Sequence, residues 1–172
     1  FNSQVRQYPI EVKLETKVTE LRRLDGGFEA VTDGGITYRA RAVIYAAGKR
    51  ARRLNVPGEA RLRGKGVTYC AICDGPLFSG EKVAIVGGGN SALEAVNDMV
   101  RIAQHVYVVS LTPLTADPIL IEKAKDAPNL TVFTEHVTEE VLGQDFVEGI
   151  IIRDLKTGEK KRLEVRGVFV EI

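Results

Sequence analysis

The chain has 172 residues with 24 basic and 23 acidic side chains, so its net charge of +1 gives no reason to expect nucleic acid or an anionic membrane as a partner. Apolar residues make up 44% of the sequence, enough for a packed core, and no apolar run approaches the roughly 20 residues that span a bilayer. The start lacks the pattern of a signal peptide, and a single pair of cysteines in one C-x-x-C favours a cytosolic redox pair and hence a cytoplasmic location. Because residue 1 is Phe rather than Met, we expect a piece of a longer protein.

The first part of the chain predicts a small antiparallel β-meander. "IEVKLE" (10–15) alternates apolar and charged residues with the period of a half-buried strand, and "TKVTELRRL" follows it. The turns Asp25-Gly26-Gly27 and Asp33-Gly34-Gly35 separate this run from "FEAVT" and "ITYRA"; such turns indicate hairpins because glycine reaches positive φ without strain. "RAVIYAAG" (41–48) then predicts a continuous apolar strand of the buried kind.

Residues 49–66 are rich in glycine, proline and basic side chains. One interpretation is a solvated connection between two lobes. The other is a basic rim that helps to hold a phosphate or an acidic partner.

From residue 81 the pattern alternates between strands and helices. "KVAIVG", "HVYVVSL" and "NLTVFTE" predict buried strands, an apolar stripe over 92–103 predicts a helix, and "DPILIEKAKDA" predicts a second helix with Asp117 as its cap. This order implies a parallel sheet with right-handed crossovers. Residues 137–165 return to strands and turns, and "GVFVEI" (167–172) begins another apolar strand.

The first strand of this region leads into a glycine loop. Gly87, Gly88, Gly89, Asn90, Ser91 and Ala92 fit the pattern G-x-G-x-x-G/A between a strand and a helix, which is the setting in which the motif binds a dinucleotide. Gly87 allows the tight turn, Gly89 lets the backbone approach a pyrophosphate, and Ala92 permits close packing. Ser110, at the end of the next strand, stands where the ribose 2′ position is read. It is neither acidic nor basic and no arginine pair follows it, which favours NADH over NADPH.

The two cysteines, Cys70 and Cys73, form a single C-x-x-C followed directly by Asp74. Helix N–H groups make the first thiol of such a pair acidic, so that it attacks a partner disulfide while the second thiol resolves the mixed disulfide. Asp74 is placed to protonate the leaving thiolate. The alternatives are a structural disulfide, two inert thiols, or an incidental metal site; a zinc site would have to recruit His105 and His136, which lie elsewhere on predicted strands.

The stretch "GVTYCAICDGPLFSGEKVAIVGGGNSALEA" resembles the low-molecular-weight thioredoxin reductases and, still more, the alkyl hydroperoxide reductase flavoproteins. "VIYAAG", "LNVPGE" and "GVFVEI" resemble further segments of the same family. The resemblance implies an α/β, Rossmann-like FAD/NAD(P)-binding fold with a parallel sheet and an antiparallel β-meander. It assigns residues 1–56 to a partial FAD domain, 57–165 to the NAD(P)-binding domain with the thiol pair, and 166–172 to the start of the return into the FAD domain.

The same resemblance implies a function. Electrons would pass from NADH or NADPH through FAD to the thiol pair, and then to a thioredoxin-like or peroxiredoxin-reducing protein. Cys73 would face the flavin, Cys70 would attack the partner disulfide, and Asp74 would act as the acid. Family members are homodimers of nearly twice this length, and their own glycine loop for FAD is absent here. We therefore expect an inactive fragment of an active parent. The alternative is a non-catalytic NAD(H)-binding module with a redox-sensing thiol pair.

Overall fold

The computed structural model describes residues 2–48 and 50–172, and the chain divides into two compact units after residue 49. This division falls earlier in the chain than the predicted boundary at residue 56. The reason lies in residues 50–56, called the connector below, where the backbone N–H groups of Leu54 and Asn55 donate to the carboxylate of Glu59 at 2.8 and 2.6 Å. Leu54 and Val56 also pack against the core of the second unit. The connector therefore belongs to the second unit.

The first unit contains the predicted meander. Its elements are α1 (Asn2–Val5), β1 (Val18–Leu24), β2 (Gly27–Thr32) and β3 (Thr37–Ala40). The strands pair antiparallel in the order β1-β2-β3. The turns between them use Gly26 and Gly35, whose φ angles of 82° and 74° suit glycine. The hairpin prediction is therefore confirmed.

Two strand predictions in this unit are wrong. Residues 10–15 and 41–48 form no strand, and both segments are exposed. Ile44 is 92% and Tyr45 84% exposed, although their apolar run predicted burial. A strand needs backbone partners at its edges and apolar cover on its faces, and the described residues provide neither for these segments.

The second unit follows the predicted alternation of strands and helices. In chain order its elements are α2 (Glu59–Leu62), β4 (Val67–Thr68), α3 (Ala71–Asp74), a 3₁₀ turn (Gly75–Phe78), β5 (Lys82–Val86), α4 (Asn90–Met99), β6 (His105–Ser110), α5 (Pro118–Ala124), β7 (Leu130–Thr134), β8 (His136–Leu142), β9 (Gly149–Asp154), β10 (Lys160–Leu163) and β11 (Gly167–Val170). Among the described residues, none of these helices or α1 is long and apolar enough to cross a membrane.

The strands of this unit form two sheets. A parallel sheet has the order β4-β11-β5-β6-β7, and an antiparallel sheet has the order β10-β9-β8. Strand β11 lies between β4 and β5 and pairs with both, so Gly167–Val170 is a central strand of the second unit. The prediction that residues 166–172 already lead into the other domain differs from this placement. The pairing of β11 along β5 explains why these residues stay in the second unit, since an apolar strand is buried best in the middle of a sheet.

The parallel sheet is covered on both faces. Val83 and Ile85 of β5 contribute to one core with α4 and α5, whereas Ala84 and Val86 contribute to a second core with the antiparallel sheet. Alternate residues of a strand point to opposite faces, so a strand covered on both sides is apolar throughout. This three-layer arrangement is the predicted α/β fold, and it presents the carboxyl ends of β5 and β6 at one edge.

Candidate functional site

The two cysteines form a disulfide at the start of α3. Cys70 Sγ and Cys73 Sγ are bonded at 2.05 Å, and their Cα atoms lie 5.3 Å apart. Cys70 occupies the N-cap position of the four-residue helix, and the Cys73 backbone N–H donates to Cys70 Sγ at 3.2 Å. Cys70 is half-buried and Cys73 is exposed. The predicted pair is thus within bonding distance, with an amide directed at the first sulfur as the acidic-thiol argument requires.

Asp74 is held beside the pair by Thr68. The Thr68 hydroxyl donates to the Asp74 carboxylate and accepts from the Cys70 backbone N–H at 3.3 Å. Thr68 is 7% exposed, so this link lies largely out of solvent. One hydroxyl therefore fixes both the acid and the backbone of the first cysteine. No sequence motif marks Thr68, whose only signal is its position two residues before Cys70.

Tyr69 anchors the same segment to the connector. Its hydroxyl donates to Glu59 at 2.9 Å, and Glu59 is 2% exposed. Burial, together with this hydrogen bond, raises the pKa of the Tyr69 phenol. The buried carboxylate thus has three partners, the phenol and the two connector amides, which satisfies its need for hydrogen bonds.

The first two glycines of the loop are required by the protein itself. Gly87 has a φ of 145°, and a Cβ there would lie 2.1 Å from the carbonyl oxygen of Glu171. A Cβ on Gly88 would lie 2.3 Å from the hydroxyl of Ser110. At Gly87 a larger residue would meet backbone atoms from a strained φ, whereas at Gly88 it would meet the Ser110 side chain, which would have to move.

Gly89 differs from its neighbours in the loop. Its φ is −91°, and a Cβ there would find no heavy atom nearer than Thr115 Oγ1 at 3.9 Å. Gly89 and Ser91 line a cavity of about 670 Å³, a volume in the usual range of small-molecule sites. Nothing in the described fold requires glycine at position 89, whereas a ligand that approaches the backbone does. The residues present thus fit a dinucleotide phosphate at the start of α4.

Of three other predicted residues, two hydrogen-bond within the protein and the third is buried in its core. The Asn90 side-chain amide donates to the Asp117 carboxylate at 2.9 Å and accepts from the Asp117 backbone N–H at 2.8 Å. Asp117 stands at the N-cap of α5 as predicted, yet its carboxylate bonds Asn90 instead of the helix. Ala92 is fully buried in the core. Ser110 lines the cavity but is 2% exposed, and its hydroxyl donates to the Thr112 carbonyl at 2.7 Å.

Four further residues line the cavity: Arg52, which lies in the predicted basic rim, His136, Thr138 and Glu171. Thr138 is 4% exposed, and its hydroxyl oxygen is buried without a hydrogen-bond partner among the described residues. No sequence motif marks Thr138 or Glu171, because the sheet pairing that brings them to the loop is a tertiary feature.

The two histidines lie at the ends of a row of rings. Ring centroids are separated by 4.5 Å from His105 to Tyr107, by 6.4 Å from Tyr107 to Phe133, and by 5.3 Å from Phe133 to His136. In the part of the chain that the structure describes, no three His, Cys, Asp or Glu side chains are grouped as metal ligands. The intervening aromatic rings separate the two imidazoles.

The chain is similar in sequence to proteins of one known family. Residues 1–138 match the family model described as pyridine nucleotide-disulphide oxidoreductase. A protein named NADH dehydrogenase from Bacillus subtilis is 42% identical over 169 residues, which are 98% of this chain and 33% of that protein. An alkyl hydroperoxide reductase from Staphylococcus epidermidis is 37% identical over 169 residues, again 98% of this chain and 33% of that protein.

Solved structures show the same likeness. The thioredoxin reductase of T. acidophilum superposes with a TM-score of 0.73 at 32% identity, over 91% of this chain and 52% of that chain. Thioredoxin reductase from Giardia duodenalis gives a TM-score of 0.81 at 28% identity, over 92% and 52%. The chain thus spans about a third of the length of the curated relatives and about half of these structures.

Proposed function

The chain belongs to the pyridine nucleotide-disulphide oxidoreductase family, and from that premise we propose that its second unit binds a reduced nicotinamide dinucleotide and that the Cys70–Cys73 disulfide receives the electron pair. One observation carries this proposal: the disulfide and a ligand-sized cavity lie in the same compact unit, where Glu171 lines the cavity and bonds the residue after Cys70. Because the chain spans about a third of the length of its curated relatives, the activity of the whole protein is part of this proposal.

The family implies a flavin as well as a nicotinamide nucleotide. When bound to the whole protein, such a flavin would supply two-electron chemistry between a nicotinamide and a disulfide. Among the described residues, the glycine loop at Gly87 lies between β5 and α4, and we assign this loop to the nicotinamide nucleotide.

Reduction of the disulfide needs two electrons and two protons. The sulfur–sulfur bond breaks and both cysteines become thiols, and we assign the exchange of a proton at this site to Asp74, whose carboxylate Thr68 holds. Cys70, as thiolate, then attacks a disulfide of a partner protein and forms a mixed disulfide. Cys73 displaces the partner, so the Cys70–Cys73 bond re-forms and the partner leaves with two thiols. These separate roles for the two sulfurs come from the family resemblance.

The surface around the disulfide favours a protein as the acceptor. Ile72 lies between the two cysteines and is 84% exposed, and Leu77 in the following turn is 78% exposed. Exposed apolar side chains beside a reactive group are typical of a docking surface. The relatives named alkyl hydroperoxide reductase and thioredoxin reductase support a thioredoxin-like or peroxiredoxin-reducing partner. The homodimer implied by the resemblance stays a prediction.

We also propose NADH as the preferred nucleotide. Residues 110–113, at the end of β6, are Ser-Leu-Thr-Pro and carry no charge that would bind a 2′-phosphate. Two basic side chains, Arg52 and His136, line the cavity among the described residues. Neither belongs to the segment at the end of β6 on which the preference is argued. The relative named NADH dehydrogenase agrees with this preference.

Replacement of Cys73 by Ser in the full-length protein tests the proposal. We expect NADH to bleach the flavin absorbance of the variant as in the parent, while reduction of a thioredoxin-like disulfide is lost, because the acceptor disulfide no longer exists. Parallel assays with NADPH should give a lower kcat/KM than NADH. If a folded variant lost both flavin bleaching and disulfide reduction, the role of Cys73 would be contradicted. Unchanged disulfide reduction would refute the electron path.

A further inference from the structure

Ser110, which sequence spacing predicts as the reader of the ribose 2′ position, is poorly placed for that role. Its side chain is 2% exposed, and its hydroxyl donates to the Thr112 carbonyl at 2.7 Å. A hydroxyl has one proton, so Ser110 has none left to donate to a ligand. Recognition of the 2′ position then falls to another polar side chain near the end of β6.

His136 lies beside the end of β6. Thr134 of β7 pairs with Ser110 in the parallel sheet, in which neighbouring strands lie about 4.8 Å apart. The ring nitrogen Nδ1 of His136 lies 2.7 Å from the Thr134 carbonyl oxygen. The side chain of His136 is 19% exposed, and it lines the same cavity as Ser110 and Gly89. The imidazole thus stands next to the predicted reader and borders the space proposed for the nucleotide.

The contact with Thr134 fixes the tautomer of this imidazole. A carbonyl oxygen only accepts hydrogen bonds, so Nδ1 carries a proton and donates it. The other ring nitrogen, Nε2, lies 3.7 Å from Asp154 Oδ2, which is beyond hydrogen-bonding distance. Among the described residues, Nε2 therefore has no hydrogen-bond partner. It is an acceptor in the neutral ring and a donor in the charged ring.

We propose that His136 is the specificity-determining residue that recognises the 2′ substituent of the adenosine ribose. Nε2 of the neutral ring accepts from the 2′-hydroxyl of NADH. Nε2 of the charged ring donates to the 2′-phosphate of NADPH, with an opposite charge to strengthen the bond. The inference rests on the proposed nucleotide site. It makes the preference for NADH over NADPH depend on pH, since histidine changes its charge between about pH 5 and 8.

Asp154 is the charged group that faces the imidazole from β9. The backbone N–H groups of Thr157 and Lys156 donate to its Oδ1 at 3.0 and 2.7 Å, and these hydrogen bonds lower the pKa of Asp154. Its other oxygen, Oδ2, lies on the side of His136. Asp154 therefore stays ionised where histidine titrates, and its charge stabilises the charged form of the ring.

Other charged side chains surround this corner of the cavity, and lysine, arginine and glutamate keep their charge between about pH 6 and 8. They are Arg52, Glu135, Lys156, Lys161 and Glu171. Lys156 is paired with Glu135 at 2.6 Å. Lys161 Nζ lies 5.1 Å from the centroid of the Phe133 ring, which packs against the His136 ring. A nucleotide preference that changes over this pH range therefore reports His136 rather than these groups.

The test compares His136→Asn with the control His105→Gln in the 172-residue chain. Asn keeps an amide that can donate to the Thr134 carbonyl, and it removes Nε2 and the charge. His105 lies at the other end of the row of rings, bonds Thr131 Oγ1 through Nε2 and is not among the residues that line the cavity. Calorimetric titration with NAD⁺ and NADP⁺ at pH 6, 7 and 8 gives both dissociation constants. The oxidised nucleotides have the same adenosine ribose and are stable in acid.

We expect the ratio of the NADP⁺ to the NAD⁺ dissociation constant to be about threefold to tenfold higher for His136→Asn than for the parent chain at pH 6. At pH 8, where the ring is neutral, this difference should nearly vanish, and His105→Gln should follow the parent throughout. The 2′-phosphate itself takes up a proton near pH 6, so proteins are compared at the same pH. Circular dichroism verifies that each variant is folded.

A second variant, His136→Lys, is cationic at every pH of the test. Its ratio at pH 8 should lie below that of the parent chain, and this gain does not depend on the stability of His136→Asn. If both nucleotides bind but the ratios of the His136 variants follow the parent at each pH, the inference is overturned while the nucleotide site stands. If neither nucleotide binds the folded parent chain, the nucleotide site itself is refuted, and the inference falls with it.

Discussion

The two units of this chain differ in what they bury. Within the described residues, every buried apolar side chain lies in the second unit, where each joins one of two cores on the faces of the parallel sheet. The buried side chains of the first unit are Glu29 and Thr32, which are polar. The first unit thus has paired strands without an apolar core, whereas the second has both.

Two similar sequences show what this difference means. "AVIYAAG" (42–48) and "KVAIVGG" (82–88) both predict a buried apolar strand that ends in glycine. The second becomes β5, with Val83 and Ile85 fully buried, while Ile44 and Tyr45 of the first are almost fully exposed. An apolar run therefore indicates a segment that is suited to burial. Whether it is buried depends on the strands and layers that pack beside it.

The largest expected effect contrasts one side chain from each unit. Phe169 is fully buried in β11 and packs edge-to-face on Phe78 with ring centroids 5.3 Å apart. We expect Phe169→Ala to lower the free energy of unfolding by about 3–5 kcal/mol, and Ile44→Ala by less than about 0.5 kcal/mol. Urea denaturation followed by circular dichroism measures both. A large loss for Ile44→Ala would break the comparison, because it would mean that the first unit also buries its apolar run.

A second contrast uses glycines with positive φ in the two units. Gly87→Ala should cost about 3 kcal/mol, since the new Cβ would meet the Glu171 carbonyl as well as a strained backbone. Gly35→Ala, in the turn of the first unit, meets nothing within 4 Å and should cost only about 1–2 kcal/mol from φ. Equal losses in thermal or urea unfolding would show that packing around Gly87 is looser than the distances indicate.

Gly89→Ala completes this series within the loop. Its φ and open surroundings predict a stability loss of no more than about 1 kcal/mol, yet the new methyl group would occupy the space proposed for the phosphates. Titration with NADH, followed by nicotinamide fluorescence, should show affinity weakened about tenfold or more. Wild-type affinity in a stable variant would contradict the proposed phosphate site.

The smallest expected effect is a dependence of stability on pH. Both histidines lie in the second unit. Burial, and next the charge of Lys82, lower the pKa of His105 below its usual value of 6.5. Below pH 6.5 the unfolded chain takes up a proton that the folded chain resists, so stability falls as the pH falls from 6.5 to the folded pKa. Urea unfolding between about pH 7 and 5 should show a shallower decline for His105→Gln, and identical slopes would refute this cause.

The hydrogen-bonding partners of the site residues were less predictable than their positions. Sequence spacing correctly placed the cysteine pair, the three glycines and the helix after them, because those features depend on local backbone geometry. It did not predict that Asn90 bonds Asp117 or that Ser110 bonds the Thr112 carbonyl. It also missed Thr68, whose only signal is its position two residues before Cys70, and it missed Thr138 and Glu171, whose surroundings come from separate elements.

The sequence by itself determined the parallel α/β unit, the β-meander, and the adjacency of a thiol pair to a nucleotide loop, since periodicity, turn glycines and short spacings act over a few residues. Only the tertiary structure decided that β11 inserts between β4 and β5, and that the run at 41–48 stays uncovered. It also decided that the carboxylate of residue 171 reaches an amide a hundred residues earlier. Pairing and burial between distant segments depend on which surfaces are available, and a local pattern does not contain that information.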